Sequence, residues 1–224
     1  MSNPIVIITS VIHIKRTINI KSYCDDNIRL QQTLNTIETV KKYLPNSYIL
    51  LSEGSTLTEE EYEKLSSLVN HVLLIDSPDI TKGKSIGELR ILIESMNYIN
   101  SRKLEYNKIY KLSGRYWLNE SFDDTKYSES LYTFKLRRAD SYFVRYVLYG
   151  REVITFLFCV PRIKSKEFYQ LITGIHYKLT NLVFFKFMNI ETCMFLSIDD
   201  SEINYINRLG CSGKSGPSGL LVDD

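Results

Sequence analysis

Three clusters of residues in this sequence have the types and spacing to do chemistry. The first is Lys82-Gly83-Lys84-Ser85, cationic and bearing glycine, where an apolar pattern of helical spacing begins. A helix N-terminus that carries Lys82 and Lys84 attracts anions, phosphate above all. The second is Ser113-Gly114-Arg115, which closes a β-type run over 108–112. A guanidinium there can hold a phosphate in two-pronged geometry. The third is Glu191, set among Phe187, Met188, Ile190, Cys193, Met194 and Phe195. A carboxylate in apolar company can be raised toward a general-base value, and on a helix it can equally lie on the one wet face.

Other patterns are weaker. Gly83-Lys84-Ser85 approaches a Walker A loop, but the pattern needs glycine at 78, where the chain has Pro78. Gly213-Lys214-Ser215 repeats the near miss with Arg208, and no helix follows, so a P-loop kinase or NTPase is the runner-up. Asp123-Asp124 and Asp199-Asp200 are adjacent pairs whose side chains would diverge in a strand, and they read as solvated loops. His13, His71 and His176 lack metal spacing, and Cys24, Cys159, Cys193 and Cys211 lack paired spacing. Neither a zinc site nor a disulfide frame follows, and reduced thiols in a cytoplasmic protein are the default. A formal charge of +2 with no long basic face gives no case for nucleic acid. Arg137-Arg138, with Arg145 and Arg151, reads as solvated strand edges, with acceptor binding as the alternative. The apolar stretch 182–198 contains Lys186 and Glu191, so no membrane span is expected.

The elements that must position these residues alternate. A β-branched run over 4–14 is a strand covered on both faces, with Thr9 and Ser10 toward its carboxyl end. A helix follows to about Tyr43, with Leu30, Leu34, Ile37 and Val40 on one face. Residues 47–51 form a second strand, closed by Glu53, where nucleotide-binding α/β proteins often hold a base or ribose. Thr58 with Glu59 to Glu61 caps a short helix, residues 72–75 form a third strand, and residues 85–100 a long helix into the fourth. This alternation implies a mostly parallel sheet with helices on both faces. Strands over 131–138, 142–149 and 152–160 then imply an antiparallel extension, with helices over 165–178 and 189–198 and a last strand over 205–209. The expected organisation is a single α/β domain over 1–224: a nucleotide-binding half 1–118, an acceptor half 119–209, and a glycine-rich tail 210–224. That tail can make an anion nest, but by position it reads as a flexible end.

Together the opening VIITSVI, the block RLQQTLNTIETVKKYLPNSYILLSEGS, GKSIGE, YKLSGRYWL, NIETCMF and LGCSGKSGPSG resemble a small GT-A type glycosyltransferase of polysaccharide-synthesis or large-DNA-virus type. The resemblance implies a Rossmann-like domain that moves a sugar from a UDP- or GDP-sugar to a glycan or glycoprotein acceptor. It places Thr9, Ser10 and Glu53 at the nucleoside, and Lys84, Glu88, Ser113, Gly114 and Arg115 near diphosphate and sugar. Glu191 becomes the base or acceptor contact. Such enzymes usually carry Asp-x-Asp for manganese or magnesium at the fourth strand end, where this chain has Ser113-Gly114-Arg115. Arg115 and Lys214 are then the expected cations against the leaving diphosphate. A degenerate GT-A fold that binds glycans without turnover is the non-enzyme alternative.

Overall fold

The computed structural model describes residues 2–14, 24–138, 150–183, 185, 188–214 and 221–224. Its central strand, β1 (Ile5–Ser10), is buried along its whole length. Val6 and Ile8 face a core shared with Ile37 and Val40 of α1 (Asp26–Tyr43). Ile5 and Ile7 face the opposite core. β2 (Tyr48–Glu53) pairs parallel to β1, and beyond α2 (Glu59–Ser66) the edge strand β3 (His71–Leu74) pairs parallel to β2. The long helix α3 (Lys84–Ser101) lies on the Ile5 face through Leu89, Leu92 and Met96. It returns the chain to β4 (Lys108–Ser113), which pairs parallel to β1 on its other side. Strand order thus reverses between β1 and β4, a topological switch point, where open α/β sheets hold ligands outside the strands' carboxyl ends.

After β5 (Tyr116–Leu118) the chain extends the sheet with β6 (Tyr132–Phe134) and, later, β9 (Leu157–Pro161). β9 is antiparallel to both β4 and β6. Between them, β7 (Leu136–Arg138) and β8 (Arg151–Val153) form a separate ribbon. α4 (Ser165–Asn181) and α5 (Ile190–Ser197) pack with α3, and among the described residues β10 (Ile203–Tyr205) completes a seven-stranded, mostly parallel sheet. The expected strand over 152–160 is divided because the carbonyls of Thr155 and Phe156 turn to Lys111 Nζ at 2.6 Å and Ser113 N at 2.8 Å. The run 131–138 likewise divides between two sheets. The expected strand over 142–149 lies outside the described residues.

The tail departs from expectation. β11 (Cys211–Lys214) pairs antiparallel with β5 and with β12 (Leu221–Asp223). Gly213 makes this possible, because a Cβ there would stand 2.3 Å from Tyr116 Cδ1 and 2.6 Å from the Arg115 carbonyl. Glycine at this position serves close approach rather than flexibility. Gly213→Ala is expected to lower stability by about 1–3 kcal/mol, as overpacking does. A urea unfolding midpoint equal to that of the natural protein would contradict this.

Helix starts follow their capping chemistry. Asp25 accepts from Ile28 N at 2.8 Å, and Thr58 and Glu61 form a reciprocal capping box. Glu61 also accepts from His13 Nε2 at 2.8 Å, while His13 Nδ1 lies 3.0 Å from Asp26. A ring with a carboxylate at each nitrogen is best satisfied when doubly protonated. The Glu61 hydrogen bond raises the His13 pKa against the opposing effect of burial, and Asp26 adds to the rise. Burial pushes the Glu61 carboxyl up, but His13 and Thr58 outweigh it and hold it below its ordinary value. The raised imidazole contributes stability in full below its ordinary 6.5, and this is lost as pH rises through the folded value. The depressed carboxyl contributes above its ordinary 4.5, and this is lost as pH falls through its folded value. The trio therefore stabilises most between 4.5 and 6.5. His13→Ala is expected to flatten the loss of stability between about pH 6 and 8. Parallel pH profiles for the two proteins would refute it.

Candidate functional site

The candidate site is built at the carboxyl ends of β1 and β4. Gly114 N donates to the Thr9 carbonyl at 2.9 Å, which carries β1–β4 pairing one residue past the strand. Thr33 Oγ1 on α1 donates to the Gly114 carbonyl at 3.3 Å and lies 3.1 Å from Ser10 Oγ. A Cβ at Gly114 would meet Thr33 Oγ1 at 3.0 Å and Ser10 Cβ at 3.3 Å. Glycine therefore lets α1, β1 and the fourth strand end close into one floor, and Arg115 follows directly at the rim.

Charged side chains enter from the α3 face. Lys111, two residues before Ser113 and on the same side of β4, is 1% exposed. Its Nζ donates to the Glu88 carboxylate, to Ser113 Oγ at 2.8 Å and to the Thr155 carbonyl. Burial pushes the Glu88 carboxyl up, yet the Lys111 and Lys84 charges outweigh it and hold it below its ordinary value. Lys84 lies in the first turn of α3, whose N-cap, Gly83, offers no side-chain cap. Lys84 Nζ is 3.4 Å from Glu191 Oε1, which also accepts from Thr155 Oγ1 at 3.0 Å. Burial works against the Lys84 charge, and Glu191 with Glu88 more than offsets it, so its pKa is raised. Ser85 Oγ accepts from Ile190 N at 3.1 Å, so the first turns of α3 and α5 are knit together.

Of the five residues expected at the diphosphate and sugar, Lys111 joins Glu88 to Ser113, Gly114 and Arg115 follow directly, and Lys84 meets Glu191, with the Arg115 charge acting on both Lys84 and Glu88. Thr9 and Ser10 form the floor of the site, each 8% exposed. The Lys214 side chain is exposed, and its backbone N donates to the Arg115 carbonyl at 3.4 Å. Glu53 is placed differently. It is fully buried, and Oε1 accepts from Ile12 N, Ser55 N and Ser55 Oγ, so it latches the loop after β1. Burial pushes its carboxyl up, although these donors oppose the shift. Glu191 also differs from its expected apolar setting, since its carboxylate takes Lys84 and Thr155. Gly83-Lys84-Ser85 engages α5 rather than standing as an open phosphate loop. Arg137 forks onto the buried carboxylate of Glu152, with Nε and one terminal nitrogen both at 2.8 Å from Oε1, so it is no solvated edge. Arg145 lies outside the described residues.

Three crevice residues had weaker signals in the sequence. Lys111 sits inside an apolar run, and its alternation with Ser113 was the available clue. Thr155 falls inside what reads as a continuous strand. Arg29 is buried because α1 turns a polar face inward near the crevice, through Arg29, Gln32, Thr33 and Thr36. The apolar face expected there begins deeper, at Ile37 and Val40, while Leu30 and Leu34 stay partly buried. A divalent cation needs several convergent oxygens. Among the described residues no three His, Cys, Asp or Glu gather in one place, and both crevice carboxylates are pinned by lysines.

No protein-family model matches the chain, and no curated protein matches it by sequence. Solved structures do match in fold. The mannosyltransferase Ktr4p from S. cerevisiae matches with a TM-score of 0.53 at 11% identity, over 90% of this chain and 68% of that one. The glycosyltransferase GlyE of Streptococcus pneumoniae TIGR4 matches with a TM-score of 0.51 at 11% identity, over 92% of this chain. This chain spans 46% of that structure's length. A glycosyltransferase involved in glycosylation of the major capsid of PBCV-1 is similar over 91% of this chain and 82% of its own, at 12% identity and a TM-score of 0.46. The chain has a GT-A-like glycosyltransferase fold. Among the described residues no helix is long and apolar enough to cross a membrane.

Proposed function

We propose that this protein is a glycosyltransferase that moves a sugar from a UDP- or GDP-sugar to a hydroxyl of a glycan or glycoprotein. The observation that carries the reading is the Lys84–Glu191 contact at the switch point of a GT-A-like fold, within reach of the Arg115 charge. Thr9 and Ser10 border the nucleoside, and Arg115, Lys84 and Lys214 face the diphosphate. The acceptor oxygen attacks the anomeric carbon, the bond from that carbon to the diphosphate oxygen breaks, and its electron pair leaves with the nucleoside diphosphate. In an inverting reaction the acceptor proton passes to Glu191, whose Thr155 hydrogen bond orients the carboxylate. Lys84 stands between base and leaving group, and moves from Glu191 to the diphosphate as donor binds. Arg115 needs no such move, and a cation already fixed where charge develops lowers the barrier most.

Thermal unfolding with UDP, GDP, dTDP, CDP and ATP, each with and without manganese, tests this reading. One nucleoside diphosphate is expected to stabilise the protein, by about 2.7 kcal/mol at a hundredfold excess over its dissociation constant. Stabilisation by ATP alone would replace the reading with a phosphotransferase, and no response would favour a glycan-binding module.

A further inference from the structure

The charges around the crevice do not cancel. Glu88 takes Lys111, Glu191 takes Lys84 and Glu152 takes Arg137. Arg29 and Arg115 are left, and among the described residues neither has a carboxylate within ion-pairing distance. Arg29 Nε donates to the Val11 carbonyl at 2.7 Å, which aims the fork and leaves its terminal nitrogens for another partner. Two other carboxylates act on Arg29 without pairing with it. Glu53 gives Oε1 to the loop after β1 and keeps Oε2 buried without a partner, and Asp26 is paired with His13.

The backbone brings the two arginines to the same end of the sheet. Arg29 and Thr33 are four residues apart and share one face of α1. Thr33 bonds the Gly114 carbonyl, so the helix turn carrying Arg29 lies against the residue that precedes Arg115. Burial, followed by the nearby Arg115 charge, lowers Arg29 to about 10. Each positive charge disfavours the other, and a dianion bound between them offsets that repulsion.

We propose that Arg29 and Arg115 form a two-arginine clamp for a diphosphate, and that it takes the place of a divalent cation. Two fixed positive charges match the two negative charges of a nucleotide sugar's diphosphate, and each guanidinium can bind two oxygens at once. Lys84 is the third, mobile cation, free to join when the leaving group gains charge. The proposal rests on the glycosyltransferase reading for its ligand, but the clamp itself is a property of the arginine pair.

The test is calorimetric titration of the full chain with inorganic pyrophosphate and with UDP and GDP, in EDTA, with donor kinetics alongside. The natural protein is expected to bind pyrophosphate without metal. Arg29→Gln and Arg115→Gln should each weaken binding about tenfold or more, as loss of a charged hydrogen-bond pair does. Arg138→Gln, on the exposed end of β7, should leave it unchanged. Arg29→Lys keeps the charge without the fork and should fall between, which guards against an Arg29→Gln protein that fails to fold. A folded Arg29→Gln protein with pyrophosphate affinity and donor KM equal to the natural protein's overturns the clamp, as does binding that requires manganese; either leaves the glycosyltransferase reading standing. Arginine-dependent pyrophosphate binding with no turnover of any nucleotide sugar would overturn that reading and leave the clamp.

Discussion

Arg115→Gln is expected to lower kcat/KM for the nucleotide-sugar donor by about 10²–10³-fold, the loss seen when one preorganised donor to a developing oxyanion is removed. Among the described residues the side chain has no hydrogen-bond or ion-pair partner to lose, and it lies in neither core, so folding should survive. The effect should fall on kcat as well as KM, because charge on the leaving oxygen grows toward the transition state. Arg115→Lys should recover only part of the activity, since an ammonium cannot bridge two oxygens as the guanidinium fork does. Unchanged kcat with Arg115→Gln in a folded protein would remove Arg115 from the chemistry.

Lys111→Met has the second large effect, on stability. Lys111 is 1% exposed and Glu88 is 12% exposed. Removing the ammonium leaves a carboxylate without its partner below the crevice, together with the unanswered Thr155 carbonyl. Breaking such a buried pair costs about 3–5 kcal/mol. Glu88→Gln should cost less, because the amide can still accept from Lys111 while the ammonium keeps Ser113 and Thr155. The double substitution Lys111→Met with Glu88→Leu should return much of the loss, since apolar pairs often replace buried ion pairs without penalty. A double variant as unstable as the sum of the singles would show that Lys111 and Glu88 do not act as a pair.

How much of this was legible in the chain depended on where the signal was local. β1 announces itself by a β-branched run, and the fully buried strand confirms the sheet centre. The capping box at Thr58 and the glycine at the start of α3 are likewise local, and the structure places both as their residue types require. Arg115 was visible as a cation at a strand end. Lys111 was not, because its partner Glu88 is distant in sequence and only the packing of α3 on β4 brings them together. Arg29 was hidden for a related reason. Its turn of α1 buries polar residues against Ser10 and Gly114, a requirement set by the crevice and not by helix periodicity. The tail misled in the opposite sense, since glycine at 213 signals a close strand approach as well as it signals flexibility.

The central claim is turnover, and the direct measurement is nucleoside diphosphate release from UDP-, GDP- and dTDP-sugars by the full chain, followed by chromatography with ATP as comparison. Release from one nucleotide class is expected, proceeding in EDTA and falling about 10²–10³-fold with Arg115→Gln. No release from any nucleotide sugar, with ADP formed from ATP instead, would contradict it.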